Sequence, residues 1–488
     1  MPAVVLLSEP DTASGRKRKR VVAAMGFVVP SFLAVVLVHY YLWRRLVRAT
    51  TVPGRTRKVL TWVVVALGAL VPVTLVGSRG GWGHFLAWPG FLWIAVMFYL
   101  LVFVVVLEIP RALALVALRR SERAGAPSLA RTLSPLRVSS PAREPSPVRE
   151  PASGVRGPAP ADSSPAPAAD SLPEGAGPLS QGNDPLPEET GAGGSGLSAE
   201  GEGGRSVMGR RLFVARTAAA VAGAGALVTV GTGIRTALGD PVIERVSVAL
   251  PRLDPRLSGL RFAVVSDIHL GPLTGVGHAE RIVRMVNSLQ ADVVAVVGDL
   301  VDGTVAELGP LARPLKNLES RYGAYFVTGN HEYYTVNGPG EWIEELRDLG
   351  VRPLRNERVE IAHQGATLDL AGVDDVVGAA AGEGPDFERT LGGRDQTRST
   401  VLLAHQPVQA VQAARYGVDL QLSGHTHGGQ MVPFNMIIPL QQPVVSGLGE
   451  VDGTQVYVTR GAGFWGPPVR VGAPPEITLL ELRGGKPR

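Results

Sequence analysis

"RFAVVSDIHL", residues 261–270, sets a short apolar, β-branched run directly ahead of Asp267 and His269. A run of this length, bounded by polar residues, reads as a buried strand rather than a helix. The pattern returns at "DVVAVVGD" (292–299), "AYFVTGN" (324–330), "TLDLAGV" (367–373), "TVLLAHQ" (400–406), "VDLQLSG" (418–424), "QVYVTRG" (455–461) and "EITLLEL" (476–482). Amphipathic stretches over 278–289, 341–349 and 407–415 read as helices; Ile282, Val283, Val286 and Leu289 share a face in the first. Alternation of this kind implies an α/β layered domain over 241–488, with parallel pairing early and more hairpin-like pairing later.

The polar residues of these segments gather at strand ends. Asp267 and His269 stand two apart, where continued strand alternation would aim both the same way. "VVGDLVD" ends with Gly298 and Asp299, "VTGNHEY" with Gly329, Asn330 and His331, "LLAHQP" supplies His405, and "LSGHTH" supplies His425 and His427. Ligands of open α/β sheets bind outside the carboxyl ends of strands, so five strand ends are expected to converge on one spot. Carboxylate, amide oxygen and imidazole together suit borderline divalent metals such as Mn, Fe, Zn, Co or Ni. Two such ions held close activate water and offset charge on a phosphate undergoing displacement. Five of the chain's nine histidines fall in these motifs, which sets them apart from His278 and His363, read as structural residues. Asp302, Glu332, Asp374 and Asp375 read as turn, cap or surface residues.

In order and spacing, Asp267-x-His269, Gly298-Asp299-x-x-Asp302, Gly329-Asn330-His331-Glu332, His405 and Gly424-His425-x-His427 resemble the calcineurin-like metallophosphoesterases, over about residues 242–484. The chain looks most like their bacterial membrane-associated subgroup, some of whose relatives cleave lipid-linked or nucleotide-sugar phosphate esters. The resemblance implies a layered β-sandwich flanked by helices. It also implies that Asp267, His269 and His427 bind one divalent ion, that Asn330, His405 and His425 bind a second, and that Asp299 bridges both. His331 would stand over the phosphate, stabilising the transition state or protonating the leaving oxygen.

The remainder of the 488 residues departs from a soluble enzyme of this kind. Apolar runs at 21–43, 59–77 and 86–107 are each near the roughly 20 residues a membrane-spanning helix needs, with Tyr40, Tyr41, Trp43, Trp82 and Trp88 at their margins. They define a three-span module over 1–120. Residues 121–206 turn to Pro, Ala, Gly, Ser and Glu and read as a disordered linker. Residues 207–240 open on Arg210 and Arg211 before an Ala/Gly-rich apolar run, and two readings stand: a fourth α-helical transmembrane segment, or a displaced twin-arginine-like signal.

The net charge of +5 and pI of about 9.6 reflect basic residues bunched beside apolar runs, and no basic stripe interleaved with aromatics follows the C-terminal half. A membrane is therefore the expected partner, and nucleic acid is not. With four spans and an outward N-terminus, the inner flanks hold twelve basic residues (Arg44, Arg45, Arg48, Arg55, Arg57, Lys58, Arg111, Arg119, Arg120, Arg123, Arg210, Arg211) against six outside (Arg16, Lys17, Arg18, Lys19, Arg20, Arg79). That balance puts the catalytic domain outside the cytoplasm, although "GRKRKR" ahead of the first span argues the other way. Cysteine is absent, which excludes disulfides, thiolate metal sites and a cysteine nucleophile. "MVPFNMIIPL" (431–440) and "GAGFWGPP" (461–468) are apolar for loops beside a charged site; they suit an acyl chain, a membrane surface or a cover over a sheet edge. The expected function is hydrolysis of a phosphomonoester or phosphodiester, lipid-linked on the strength of that rim. A non-catalytic membrane scaffold and a metal-dependent nuclease are the alternatives.

Overall fold

The structure, a computed structural model, describes residues 30–79, 84–124 and 200–484. The expected linker falls mainly on residues 125–199, which lie outside these, as do "GRKRKR" and the beginning of the first expected span. The chain divides into two units, Met1–Leu115 with Met208–Arg488, and Val116–Val207.

Four helices precede the sheets: α1 (residues 30–48), α2 (Arg55–Arg79), α3 (His84–Ala124) and α4 (Glu200–Leu238). Helix α4 begins seven residues ahead of the expected position 207 and is continuous through Arg210 and Arg211. Among the described residues, Arg55–Ser78, Phe85–Arg120 and Gly209–Leu238 are long and apolar enough to cross a membrane. The small residues that make α4 only weakly apolar form its packing face. Ala222 and Ala226 are fully buried, and Gly225 is so close to Phe103 that a side chain there would meet the ring at 3.0 Å. Such small-residue faces let membrane helices approach closely. Ala95 and Tyr99 pack with Ala226 and Val230, and Val104 packs with Ala222, so α3 and α4 run antiparallel.

The C-terminal region contains two six-stranded sheets. The first has the order β1-β12-β2-β3-β4-β5, and the second β10-β11-β9-β8-β7-β6. Their strands are β1 (Val242–Leu250), β2 (Arg261–Val265), β3 (Val293–Val297), β4 (Ala324–Val327), β5 (Val351–Pro353), β6 (Glu357–His363), β7 (Ala366–Gly372), β8 (Thr400–Leu403), β9 (Leu420–Ser423), β10 (Gly447–Val451), β11 (Thr454–Val458) and β12 (Glu476–Gly484). Alternation decides the layers. Phe262, Val264, Val293, Ala295 and Val297 face Leu368, Leu370, Val401, Leu403 and Leu422 across the sandwich. Their neighbours Ala263, Val265, Val294 and Val296 turn outward onto α5 (Val276–Ser288) and onto Trp342 and Leu346. The second sheet's outer face, through Ala371, Leu402 and Ala404, covers Phe387, Leu391 and Ala413. Strands buried on both faces need continuous apolar runs, which is why β3 reads VVAVV.

The later pairing differs from expectation. β7, β8, β9 and β11 are parallel to one another, and antiparallel pairing occurs in that sheet only at its edges, through β6 and β10. Connections through short helical segments at 387–391 and 407–416 permit the parallel arrangement.

Candidate metal centre

Strands β2, β3, β4, β8 and β9 end at one rim of the sandwich, and the expected residues follow each end directly. Asp267 and His269 do not owe their common direction to strand alternation, because β2 stops at Val265. Both instead take left-handed backbone, with φ of 52° and 50°. Asp299, His425 and His427 do the same, at 52°, 72° and 52°. Left-handed non-glycine residues are uncommon and cost of order 1–3 kcal/mol each. Five of them at one rim mark a place where geometry for binding prevails over local ease. Glycines make the room: a side chain at Gly461 (φ 77°) would meet Asp267 Cβ at 2.6 Å, and one at Gly329 would collide with the Asp299 carboxylate.

Seven sequence-identified residues, with His331, come together. Ligand atoms of Asp267, His269 and His427 all lie within 4.8 Å of one another, and so do those of Asp299, His405 and His425. His427 Nε2 is 3.2 Å from Asp267 Oδ1 and 3.1 Å from His269 Nε2; His405 Nε2 is 3.2 Å from Asp299 Oδ2. Asp299 also lies within the same limit of His269 and His331, so it stands between the two groups. Asn330 Oδ1 is buried without a hydrogen-bond partner. A buried orphan acceptor is costly, and a cation would satisfy it. The donor set therefore fits divalent metal.

The groups behind the rim orient it. His405 Nδ1 donates to Val297 O at 2.8 Å and His269 Nδ1 to Asp302 Oδ1 at 2.9 Å, which turns each Nε2 inward. Asp267 accepts from the His425 amide at 3.0 Å, and Asp299 Oδ1 from the His331 amide at 2.9 Å. Glu332 is a capping residue, as expected: its carboxylate accepts from the amides of Gly329, Asp299 and Leu300.

Asp302 lies in a bend, as expected, and also orients its neighbours, since its Oδ1 accepts from His331 Nδ1 at 2.6 Å and so holds two imidazoles at once. Asp374 is buried, neither turn, cap nor surface residue, which corrects its expectation; Asp375 is buried too but caps residues 376–381, as expected, by accepting from the Val377 amide at 2.8 Å. Arg355, Asn356 and Thr328 hold the first, and Gln406 donates to the second at 3.0 Å. Arg470, which belongs to none of the sequence motifs, is fully buried. It donates to His427 O at 2.9 Å and to Gly463 O at 3.0 Å, with Nη2 3.0 Å from His427 Nδ1. A guanidinium only donates, so His427 Nδ1 accepts and its Nε2 carries the proton, which points at Asp267 and His269. His278 and His363 are structural, as expected, bonded to Ile268 O and to the Tyr322 hydroxyl.

Charge follows this geometry. Burial pushes Asp299 up, but the His405 and His331 imidazoles outweigh it and hold the carboxylate well below the usual range. Burial depresses His405 and His331, yet Asp299 raises the first well above its ordinary value, and Asp299 with Asp302 brings the second up to about 9. Burial, followed by the His405 charge, lowers His425 to about 3; burial, followed by Arg470, lowers His427.

A two-layer sandwich with carboxylates and imidazoles clustered at its strand ends defines a metal-binding phosphoesterase domain. The calcineurin-like phosphoesterase family's sequence pattern matches residues 260–429. A metallophosphoesterase of Aquifex aeolicus is 34% identical over 246 residues, which cover 50% of this chain and 92% of that protein. The chain belongs to the calcineurin-like metallophosphoesterase family. A Bos taurus transmembrane protein with metallophosphoesterase domain is 43% identical over 263 residues, covering 51% of this chain and 59% of that protein. A Campylobacter jejuni metallophosphoesterase is 37% identical over 256 residues, 52% of this chain and 66% of that protein. The match thus spans about three fifths of the bovine relative's length.

Proposed function

We propose that this chain is a membrane-anchored phosphoesterase that holds two divalent ions and hydrolyses phosphate esters, lipid-linked ones in particular, from a catalytic domain outside the cytoplasm. The observation that carries the reading is that the group Asp267, His269 and His427 adjoins the group Asp299, His405 and His425 through His269 and Asp299, with the Asn330 Oδ1 acceptor buried and unpartnered. In this reading Asp267, His269 and His427 hold one ion, Asn330, His405 and His425 the other, and Asp299 both. The ions, once bound, would acidify water and offset charge on the phosphate oxygens. His331, its Nδ1 held by Asp302, presents Nε2 to the site 4.0 Å from Asp299 Oδ2. It is placed to give a proton to the leaving oxygen. The lipid link is supported by the exposed apolar residues of 432–440 beside the site. The outward orientation is supported by Arg44, Arg45, Arg48, Arg111, Arg119, Arg120, Arg210, Arg211 and Arg216, which lie towards the helix ends away from the sheets, against Arg235 at the sheet end of α4.

The test uses the full-length protein in detergent or vesicles with added divalent metal. Hydrolysis of a chromogenic phosphodiester or phosphomonoester should occur, with about two ions bound per chain. Asp299→Ala should lose both metal and turnover, and His331→Ala should lose turnover while keeping the metal. Metal binding without turnover of any ester would favour the scaffold instead, and unchanged activity in Asp299→Ala would overturn the assignment.

A further inference from the structure

The membrane helices carry a ruler. At one end Arg45 pairs with Glu108 at 2.7 Å, Tyr41 donates to Glu108 at 3.1 Å and Arg216 donates to Thr50 O at 3.1 Å, so α1, α3 and α4 share a charged level. A hydrocarbon core of about 30 Å corresponds to about 20 helical residues. Counted from Glu108 and Arg216, it ends near Trp88 on α3 and Thr236 on α4.

The catalytic domain touches both helices at that second level. Arg470 N donates to Gly233 O at 3.0 Å, and a side chain on Gly466 would meet Phe91 at 3.6 Å. Gly233 and Phe91 each lie three residues inside the counted boundary. Val469 is buried among Ala95, Tyr99, Ala226 and Val230, with Met431 against the same cluster. The segments 463–471 and 431–440 therefore leave the helices at the edge of the hydrocarbon. The second carries no charge and exposes Phe434, Met436 (76%), Ile437 and Leu440 (82%). Trp465, half exposed, is 6.3 Å from the His331 ring between centroids and adjoins Gly466.

We infer that the 432–440 segment and Trp465 are seated in the interfacial layer of the leaflet this chain itself spans, so that the metal centre opens at the membrane surface. Uncharged backbone carrying aromatic and aliphatic side chains suits that layer, where Trp is favoured and apolar groups leave water. Continuity with the lipid-facing helices names the occupant: the patch begins where α3 and α4 enter the hydrocarbon. The consequence for substrate, a phosphate ester presented in the headgroup layer, rests on the proposed function; the seating itself rests only on the geometry.

The natural absence of cysteine gives a direct test. The full-length protein, carrying one spin label at Met436→Cys or Leu440→Cys, is placed in phosphatidylcholine/phosphatidylglycerol vesicles and relaxed with oxygen or with a water-soluble nickel chelate. Val106→Cys, on the exposed face of α3, serves as the lipid reference. Gln396→Cys, ahead of β8 and so at the opposite strand end from the site, serves as the water reference. The expected result is oxygen favoured over the chelate at 436 and 440, as at 106. Chelate access equal to that at 396 overturns the inference. So does mutual label broadening with neither relaxant reaching 436 or 440, which would assign the patch to a second copy of the chain. Because no outcome reads turnover, the result stands apart from the fate of the phosphoesterase reading.

Discussion

Replacing Asp302 by Asn keeps its shape and removes one charge, and the structure specifies what should follow. Its Oδ1 accepts from His331 Nδ1 at 2.6 Å and from His269 Nδ1 at 2.9 Å. Hydrogen bonds to a charged group contribute about 1.5–3 kcal/mol, roughly twice their neutral counterparts, so the substitution should remove about 1–1.5 kcal/mol from each. At His331 that is about one pKa unit. Asp299 and Asp302 raise this imidazole to about 9, with burial opposing them. The protonated form is the active one in the proposed role, so activity falls as pH rises through the His331 value. Loss of the Asp302 charge lowers that value, and the alkaline limb should move about one unit towards acid. Bound cations lower the value in both proteins, so the difference is the quantity to read. At His269 the same loss should weaken metal affinity about tenfold, the lower end of what loss of an orienting carboxylate costs. The assays are kcat against pH at saturating metal, and calorimetric titration of the ion-free protein. An alkaline limb and a metal affinity both identical to those of the unsubstituted protein would refute the argument.

Three further outcomes follow from the same geometry. His405, held protonated by Asp299, must give up its proton to a cation, whereas His427 is already neutral; apparent metal affinity should therefore rise up to about tenfold per pH unit through neutrality, and pH-independent titrations would contradict this. Arg470→Met strands the carbonyls of Gly463 and Ala473 in a buried site, while those of His427 and Gly461 keep the amides of Gln430 and Glu476; at about 1–3 kcal/mol for each unsatisfied group, the cost should be on the order of 2 kcal/mol or more in denaturant unfolding, and a loss below about 1 kcal/mol would show the carbonyls to be satisfied otherwise. Gly233→Val should press Val469, whose Cγ1 lies 2.5 Å from any added side chain, and lower activity several-fold, whereas Gly231→Val, with nothing within 4 Å, should leave it unchanged; equal behaviour of the two would dissociate α4 from the site.

Much of the sandwich was legible because its central strands are buried on both faces. Doubly buried strands favour continuous apolar runs, and β2, β3, β4 and β8 show them, while β9 reads Leu-Gln-Leu-Ser and alternates instead. The strands that escaped notice, β1, β5, β6 and β10, are edge or near-edge elements with half-exposed patterns such as Glu357–His363. The parallel order of the second sheet was hidden for another reason. Its crossovers are short, broken helical turns over 407–416 rather than full amphipathic helices, and such turns resemble hairpin loops in sequence.

Within the site, the candidate ligands were readable and the role of the residues behind them was not. A ligand must stand at a strand end beside a glycine that makes room, and that local constraint leaves a spaced motif. Asp302 and Arg470 act through one further side chain; Arg470 belongs to no motif, and the spacing that includes Asp302 does not say what it holds. Asp302 sits three residues after Asp299 yet serves His269 and His331. Arg470 lies 43 residues from His427, which it grips from behind, while its own backbone amide is fastened to Gly233 O in a membrane helix. That last pairing joins two regions that the sequence presents as an anchor and an enzyme. Moving the end of α4 relative to the sheets must either break the Gly233–Arg470 bond or carry the guanidinium, and with it the His427 ring, away from Asp267. The helix therefore does more than tether the domain: its last turns form part of the wall that fixes the His427 imidazole, and cutting the chain ahead of β1 should loosen that imidazole even where both sheets stay folded.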